Sequence, residues 1–179
     1  MTDIRRYDDI LLMVMPISRD NSLGQRDAEH KAAESLVAEA LGDDVTIGHQ
    51  QSGAPYLIGS DLFISISHSR HYAAISLSPS PGIGVDIEES RSQLRKVAPR
   101  VLSESELAAY GHSDDMLLQA WTLKEALYKA ALTPGLDFRR DIGLPIPATS
   151  TTATVCGKSF EVIAILTRPD YTLSLVRSN

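Results

Sequence analysis

A strand-like run that carries two carboxylates, GIGVDIEESR (82–91), constrains the fold of this chain more than any other stretch. Side chains alternate between the two faces of a β-strand, so Val85 and Ile87 are expected on one face. Asp86 and Glu88 then share the opposite face. The pattern predicts a strand whose apolar face packs into a core and whose acidic face meets either solvent or a cation.

The acidic face has two interpretations that the spacing alone leaves open. Mg²⁺ prefers oxygen ligands and completes its six positions with phosphate oxygens and water, so Asp86 and Glu88 suit a magnesium site. Charged side chains are also common on the solvent face of an edge strand. The choice depends on which other charged residues the fold brings to this face.

The strongest predicted helix is DDMLLQAWTLKEALYKAAL (114–132), whose leucines, alanines and tryptophan form an apolar stripe. Glu125 and Lys129 lie four residues apart on one helical face, with Trp121 one turn earlier. One interpretation is a surface ion pair that contributes about 0.3–0.5 kcal/mol. The other is that Glu125 is a third oxygen ligand, beside the acidic strand, and that Lys129 contacts phosphate.

A polar segment, ISISHSRH (64–71), places Ser67 and His68 at the expected end of another strand. Hydroxyl and imidazole donors at one loop suit a phosphate contact. A lone histidine is also commonly structural or simply exposed, and both interpretations stay open. The chain has no G-x-G-x-x-G, P-loop or G-x-S-x-G motif and no Cys/His metal spacing.

Composition narrows the class of protein. The chain has 179 residues, 43% of them apolar and 22% charged, which fits a soluble protein of one domain or two small halves. The net charge of −6 argues against broad binding to nucleic acid or acidic membranes. A single cysteine, no apolar run near 18 residues and no export signal favour a cytoplasmic protein with neither a disulfide nor a membrane span.

The order of predicted elements favours an α+β fold. A buried strand is expected over 8–18 and a helix over 25–42, and each half of the chain has the order strand, helix, strands. A capping box is expected between Ser103 and Glu106. The segment 133–147 is expected to be a loop.

Taken in order, SISHS (65–69), GVDIE (84–88), LSESE (102–106) and WTLKEALYK (121–129) resemble the motifs of the 4′-phosphopantetheinyl transferase superfamily. GVDIE alone is short, but GVDIE followed about 35 residues later by W-x-x-K-E-x-x-x-K is highly specific. The length and the segment GAPYL before SISHS resemble the surfactin-type group, in which one chain holds two similar halves.

The resemblance implies two similar α+β halves packed as a pseudo-dimer within a monomer. The N-terminal half would be 1–80 and the C-terminal half, which carries the metal site, 81–179. The implied reaction moves the phosphopantetheine arm of coenzyme A, a co-substrate, to a serine of an apo-acyl or apo-peptidyl carrier protein and releases adenosine 3′,5′-bisphosphate. Mg²⁺ is the implied cofactor.

Four residues match the catalytic and metal-binding motif positions. Asp86 and Glu88 match the metal ligands of GVDIE. Glu125 matches a third ligand that is also a proposed general base for the serine. Lys129 matches the second lysine of the helical motif, which would stabilise the pyrophosphate and the leaving phosphate.

Coenzyme A contacts are implied for a second set of residues. His68 matches a histidine that contacts a phosphate of coenzyme A, with Ser67 beside it. Lys124 matches the first lysine of the helical motif and would help to bind a coenzyme A phosphate. Lys31 is the lysine that the first predicted helix offers to the same pocket.

The chain departs from the resemblance at Ala54. Family members commonly have Gly-Lys-Pro where this chain has Gly-Ala-Pro, so a cation for the nucleotide 3′-phosphate is missing there. The candidates for its replacement are Arg5, Arg6, Arg19, Arg26 and Arg70. This loss keeps a second hypothesis open, a noncatalytic module of the same fold that binds coenzyme A or a carrier protein.

Overall fold

The computed structural model describes residues 1–18, 24–90 and 93–179. The strands are β1 (Asp3–Tyr7), β2 (Ile10–Pro16), β3 (Thr46–His49), β4 (Pro55–Ile58), β5 (Phe63–His68), β6 (Tyr72–Ser78), β7 (Ile83–Glu88), β8 (Ile142–Gly143), β9 (Thr152–Val155), β10 (Lys158–Thr167) and β11 (Thr172–Ser178). The helices are α1 (Gln25–Leu41), α2 (Leu94–Val101), α3 (Glu104–Tyr110), α4 (Asp114–Ala131) and α5 (Phe138–Asp141).

The first sheet has the antiparallel strand order β1-β2-β6-β5, and α1 packs on one of its faces. The helix buries Ala32 and Leu36 against Ile75 and Leu77 of β6. Its end at Gly42 agrees with the expected stop, because this residue has a φ of 94° and its N–H caps the carbonyl of Ala38. Strands β3 and β4 form a separate two-stranded hairpin.

The second sheet has the order β7-β11-β10-β9-β8, and α4 lies across it. Gly84 in β7 makes this close approach feasible. A Cβ atom at this position would collide with the backbone oxygen of Ala126 in α4. The glycine of GVDIE therefore brings the helix close to the strand that carries the two carboxylates.

The two sheets meet where β5, at the edge of the first, runs beside β7, at the edge of the second. Serine hydroxyls connect these edges, because Ser65 Oγ accepts the Val85 N–H at 3.0 Å and Ser67 Oγ accepts the Ile87 N–H at 3.2 Å. Val85 and Ile87 also pack, as predicted, in a core shared with Leu12 of the first sheet. The junction fixes the position of the acidic side of β7.

The structure corrects two expectations about local structure. The first strand is preceded by β1, and a turn at Asp8, whose φ is 52°, joins the two in a hairpin. The segment 133–147 is not entirely a loop, because it contains α5 and β8. In the described part of the chain, no helix has the length and apolar character needed to cross a membrane.

Candidate active site

A pocket of about 470 Å³ opens at the junction of the two sheets. Strand β7 contributes Asp86 and Glu88 to its wall, and α4 contributes Glu125 and Lys129. The structure therefore brings together the four residues that the sequence singles out on two separate elements. Trp121 lines the same pocket, since positions 121, 125 and 129 lie on one helical face.

Asp86 has two carboxylate oxygens in different surroundings. Oδ1 accepts hydrogen bonds from the hydroxyl of Ser67 and the ammonium of Lys129, each at 2.8 Å. Oδ2 is buried and has no hydrogen-bond partner among the described residues. Since a buried carboxylate oxygen without a partner is costly, its position in this pocket indicates a site for a cation or a donor.

Lys129 connects α4 to β7. Its ammonium group donates to the backbone carbonyl of Val85 at 3.1 Å as well as to Asp86. An ammonium group has three donor hydrogens, so these two contacts leave capacity for a further acceptor in the pocket. The side chain is 29% exposed, which makes its charge accessible to a ligand.

Glu88 receives a hydrogen bond from the indole N–H of Trp121 at 3.3 Å. This contact connects the carboxylate to α4, because the same tryptophan lies one turn before Glu125. The aromatic ring also packs against Phe138, with a centroid distance of 6.4 Å. Trp121 therefore combines the packing role expected from the sequence with a direct contact to the acidic face.

The donor chemistry of the pocket carboxylates decides whether they could hold Mg²⁺. In the described ranges, no group of three or more His, Cys, Asp or Glu side chains is arranged as a ready-made metal cluster. Mg²⁺ does not require one, because it binds through one or two carboxylates together with substrate phosphates and water. The unpartnered Oδ2 of Asp86 beside Glu88 and Glu125 fits such an open site.

Comparison with known protein families identifies the chain. The family model of the 4′-phosphopantetheinyl transferase superfamily matches residues 82–175, just over half of the chain, from the start of β7 into β11. The chain belongs to the 4′-phosphopantetheinyl transferase superfamily. A search of curated proteins gives no significant match.

Superfamily membership indicates phosphopantetheine transfer in general terms, and the matched range contains the carboxylates and both lysines of α4. The structure separates these two lysines. Lys124 is fully buried, and its ammonium group donates to both carboxylate oxygens of Glu106 at 2.8 and 2.9 Å. It also donates to the backbone carbonyls of Phe138 and Ile142. The expected contact between Lys124 and a coenzyme A phosphate does not fit this geometry.

Glu106 is the buried partner of Lys124 in this superfamily member. It forms the predicted capping box with Ser103 and also accepts the N–H of Leu144 at 2.8 Å. Burial lowers the pKa of Lys124, while the hydrogen bond to Glu106 opposes this shift. Burial, with the nearby Glu106 charge, raises the pKa of Tyr110 to about 12.

The other three residues expected to bind coenzyme A have different locations. His68 lines the pocket, and its Nδ1 lies 3.3 Å from Oε2 of Glu29. Ser67 also lines it, but its hydroxyl is engaged by Asp86 and by β7. Lys31 is exposed on α1 and is not among the residues that line the pocket, so the structure does not bring it to the site.

Two further residues of this wall, His30 of α1 and His49 of β3, were not predicted from the sequence. Their rings lie 5.8 Å apart between centroids. Among the described lining residues no arginine occurs, and Arg5 instead pairs with Asp3 at 3.0 Å. Arg19 lies outside the described residues. No local motif marks the two histidines, because they are distant in sequence and meet through tertiary packing.

A second pocket of about 420 Å³ adjoins the first at Lys129. The two pockets also share Gly53, Pro55 and Ile66 in their walls. Ala54 lines the second one, where it contributes no charge. Of the residues common to both walls, Lys129 is the one that carries a charge.

Proposed function

We propose that this protein transfers the 4′-phosphopantetheine arm of coenzyme A to a serine hydroxyl of an apo-carrier protein, with Mg²⁺, and releases adenosine 3′,5′-bisphosphate. The observation that carries the proposal is the different hydrogen bonding of the two carboxylate oxygens of Asp86. Its Oδ1 is held by Ser67 and Lys129, and its buried Oδ2 has no partner among the described residues. A metal-binding carboxylate needs this combination of a fixed orientation and an available oxygen.

Asp86, Glu88 and Glu125 would hold the metal ion in this proposal. When bound, Mg²⁺ supplies charge neutralisation for the pyrophosphate of coenzyme A. Without it, these three carboxylates and Glu29, which also lines the pocket, would repel that pyrophosphate. The proposal therefore requires a strict dependence on a divalent cation.

The proposed reaction is an in-line displacement at phosphorus, in which side chains of the pocket take part. The carrier serine oxygen forms a bond to the phosphorus that bears the pantetheine arm, and the bond from this phosphorus to the bridging oxygen breaks. Glu125 accepts the serine proton, directly or through a water molecule. The ammonium of Lys129 stabilises the negative charge that develops on the departing bisphosphate.

The proposal also includes the surfactin-type subgroup, the two halves of the chain, the location of the protein and its partners. A surfactin-type monomer with halves at 1–80 and 81–179 is supported by two sheets that each carry a helix and meet along the β5–β7 junction. The family match covers the second of these halves. A cytoplasmic location fits the absence of a membrane-spanning helix within the described ranges, and neither nucleic acid nor membrane is a proposed partner.

Intact-mass spectrometry of an apo-acyl carrier protein incubated with this protein, coenzyme A and Mg²⁺ tests the function. We expect the carrier to gain about 340 Da, the mass of the transferred arm, and the gain to disappear with EDTA. Because the carrier is unidentified, apo-peptidyl carrier proteins are included in the same assay. A carrier whose acceptor serine is replaced by alanine is the control for covalent attachment.

The alternative is a noncatalytic module that binds coenzyme A or a carrier protein. It is supported if coenzyme A binds with Mg²⁺ but no carrier gains mass. A gain of mass that persists after complete removal of divalent cations would instead contradict the proposed metal site. Release of bisphosphate without any acceptor protein would indicate a phosphohydrolase.

A further inference from the structure

The carboxylate of Glu89 joins the end of β7 to the turn between β5 and β6. Its Oε2 accepts the backbone N–H of His71 at 2.9 Å, and its Oε1 lies 2.6 Å from Nδ1 of the same residue. One side chain therefore contacts both the backbone and the imidazole of its partner. Neither residue lines the pocket or takes part in the proposed transfer.

The position of Glu89 in the chain gives this contact its importance. Glu89 directly follows Glu88, which is the last residue of β7 and a proposed metal ligand. Glu88 pairs with Thr172, the first residue of β11, so the ladder between the two strands ends at the metal ligand. The ends of strands open more readily than their centres, because fewer contacts hold them. A carboxylate at such an end needs a further constraint to keep one position in the pocket.

The centre of β7 already has constraints of this kind on the side that faces β5. Ser65 accepts the N–H of Val85, and Ser67 accepts the N–H of Ile87. Two residues further along, the carboxylate of Glu89 makes the next connection, to the turn that follows β5. The connections therefore recur at alternate residues of β7 and continue past its end.

The turn that Glu89 contacts has anchors of its own. The carbonyl of His71 accepts the N–H of Ile17 at 2.7 Å, and the N–H of Ser69 donates to the carbonyl of Tyr72 at 2.8 Å. The ring of Tyr72 packs on that of Tyr171, with a centroid distance of 4.8 Å. Because these contacts do not involve β7, the turn is a fixed point to which the end of the strand is attached.

Resting on the proposed function, we infer that Glu89 is a positioning residue that holds Glu88 in the geometry that the metal ion needs. It acts through its contact with His71, since it lies outside the pocket wall. The side chains of Glu89 and His71 are 24% and 47% exposed. Exposed pairs of this kind contribute little to global stability, so the effect of the pair is local and falls on metal binding.

Amide hydrogen exchange, followed by NMR on the protein without ligands, tests whether the pair holds the strand end. Glu89→Ala should raise the exchange rates at residues 87–89 by about tenfold, because the end of β7 opens more often. His71→Ala removes the imidazole contact and keeps the backbone N–H, so it should raise the same rates by a smaller factor.

Mn²⁺ binding, measured by electron paramagnetic resonance with coenzyme A present and in about 0.15 M salt, tests the effect on the metal site. Glu89→Ala should bind Mn²⁺ about tenfold more weakly than the wild type, as expected when a metal ligand loses its orientation. Glu89→Gln loses the charge but keeps an oxygen for the His71 N–H and an amide N–H for Nδ1. Its affinity should therefore stay within about threefold of the wild type.

Glu161 of β10 provides the matched control. Its carboxylate pairs with Arg177 at 2.9 Å on the second sheet, with a side chain that is 41% exposed and outside the pocket wall. Glu161→Ala also removes one carboxylate from an exposed ion pair. It should leave the exchange rates at residues 87–89 and the Mn²⁺ affinity within about twofold of the wild type.

The outcomes separate the positioning role from the proposed function. If the wild type binds Mn²⁺ and Glu89→Ala binds it equally well, the positioning role is wrong and the transferase proposal stands. Equal losses in Glu89→Ala and Glu89→Gln would assign the effect to charge and overturn the positioning role, as would unchanged exchange rates in Glu89→Ala. If the wild type binds no Mn²⁺ with coenzyme A, the proposed metal site is contradicted, and the role of Glu89 with it.

Discussion

Two carboxylate–lysine pairs on either side of α4 have similar distances and opposite surroundings. Lys124 and Glu106 are both buried, and the pair also bonds to backbone groups of Phe138, Ile142 and Leu144. Lys129 and Asp86 pair at the same distance of 2.8 Å, but they line a pocket and leave Oδ2 of Asp86 without a partner in the described part of the chain. The first pair is closed to ligands and the second is open.

This difference shows that an ion pair in a motif is not by itself a sign of chemistry. A buried pair whose polar atoms are all satisfied anchors elements to one another, and removal of one partner leaves an uncompensated charge. Lys124 and Glu106 anchor α4 to α3, α5 and the loop after β8 in this way. An open pair has capacity for a metal ion or substrate, and the role proposed for Asp86 and Lys129 depends on that capacity.

Replacement of each lysine with methionine tests the difference between the two pairs, and Lys124→Met is expected to have the largest effect. Lys124→Met leaves Glu106 buried without its cation, so the free energy of unfolding should fall by about 3–5 kcal/mol. Urea denaturation measures this loss. Glu106→Gln/Lys124→Met removes both charges and should recover much of it. A loss below about 1 kcal/mol in the single variant would contradict the structural role of the pair.

Lys129→Met is the matched variant in the open pair. It should lower the maximal rate of arm transfer by about a hundred- to a thousandfold, because the leaving phosphate loses a positioned cation. Since the lysine is partly exposed, the loss of stability should be smaller than for Lys124→Met. Transfer kinetics and urea denaturation on the same preparation separate the two effects. A variant that loses stability alone would make Lys129 a structural residue.

The closed region should also respond to alkaline pH through Tyr110, whose hydroxyl donates to the carbonyl of Pro145 at 2.9 Å. Its pKa in the fold, about 12, lies above the ordinary value near 10, so the native state keeps a proton that the unfolded chain loses. The resulting stabilisation of about 3 kcal/mol is present below pH 10 and is lost as the pH rises through about 12.

Denaturation of the wild-type protein and Tyr110→Phe across this pH range measures that contribution. The difference in unfolding free energy between the two should fall as the pH rises above 10. Tyr56→Phe, at an exposed tyrosine, is the control and should leave the pH dependence of the wild type unchanged. A constant difference between wild type and Tyr110→Phe would show that this phenol does not contribute.

Two serines of β5 provide the prediction with the smallest expected effect, and it is also the most selective one. Ser65 and Ser67 both accept an N–H of β7, but Ser67 alone also donates to Asp86. Ser67→Ala should therefore weaken Mn²⁺ binding in the presence of coenzyme A by about tenfold, as expected when a residue that orients a metal ligand is lost. Ser65→Ala should cost similar stability without this loss. Equal Mn²⁺ affinities in the two variants would contradict the orienting role of Ser67.

The sequence alone predicts the elements that carry the site. The alternation of GVDIE predicts β7 and its two faces, and the apolar stripe of 114–132 predicts α4 almost to its ends. Both signals are strong because they depend on local periodicity. The capping box of Ser103 and Glu106 is equally local and is confirmed.

The contacts between elements could not be predicted in the same way. Helical periodicity gives the angle between Lys124 and Glu125, but not which face meets α3 and α5, so the sequence left Lys124 among the coenzyme A contacts. The hydrogen bond from Ser67 to Asp86 depends on how two sheet edges align. His30 and His49 come together because α1 packs beside the β3–β4 hairpin. These features follow from tertiary packing, which a single sequence does not reveal.

The most direct test of the open pair compares wild type with Asp86→Asn in the intact-mass assay of carrier modification. Asparagine keeps the shape of the side chain and can still accept from Lys129 and Ser67, but it lacks the charged ligand. We predict a folded variant with a cooperative melting transition that adds no detectable arm to the carrier, even in excess Mg²⁺. Transfer by Asp86→Asn at a rate near that of the wild type would contradict the proposed metal-dependent site.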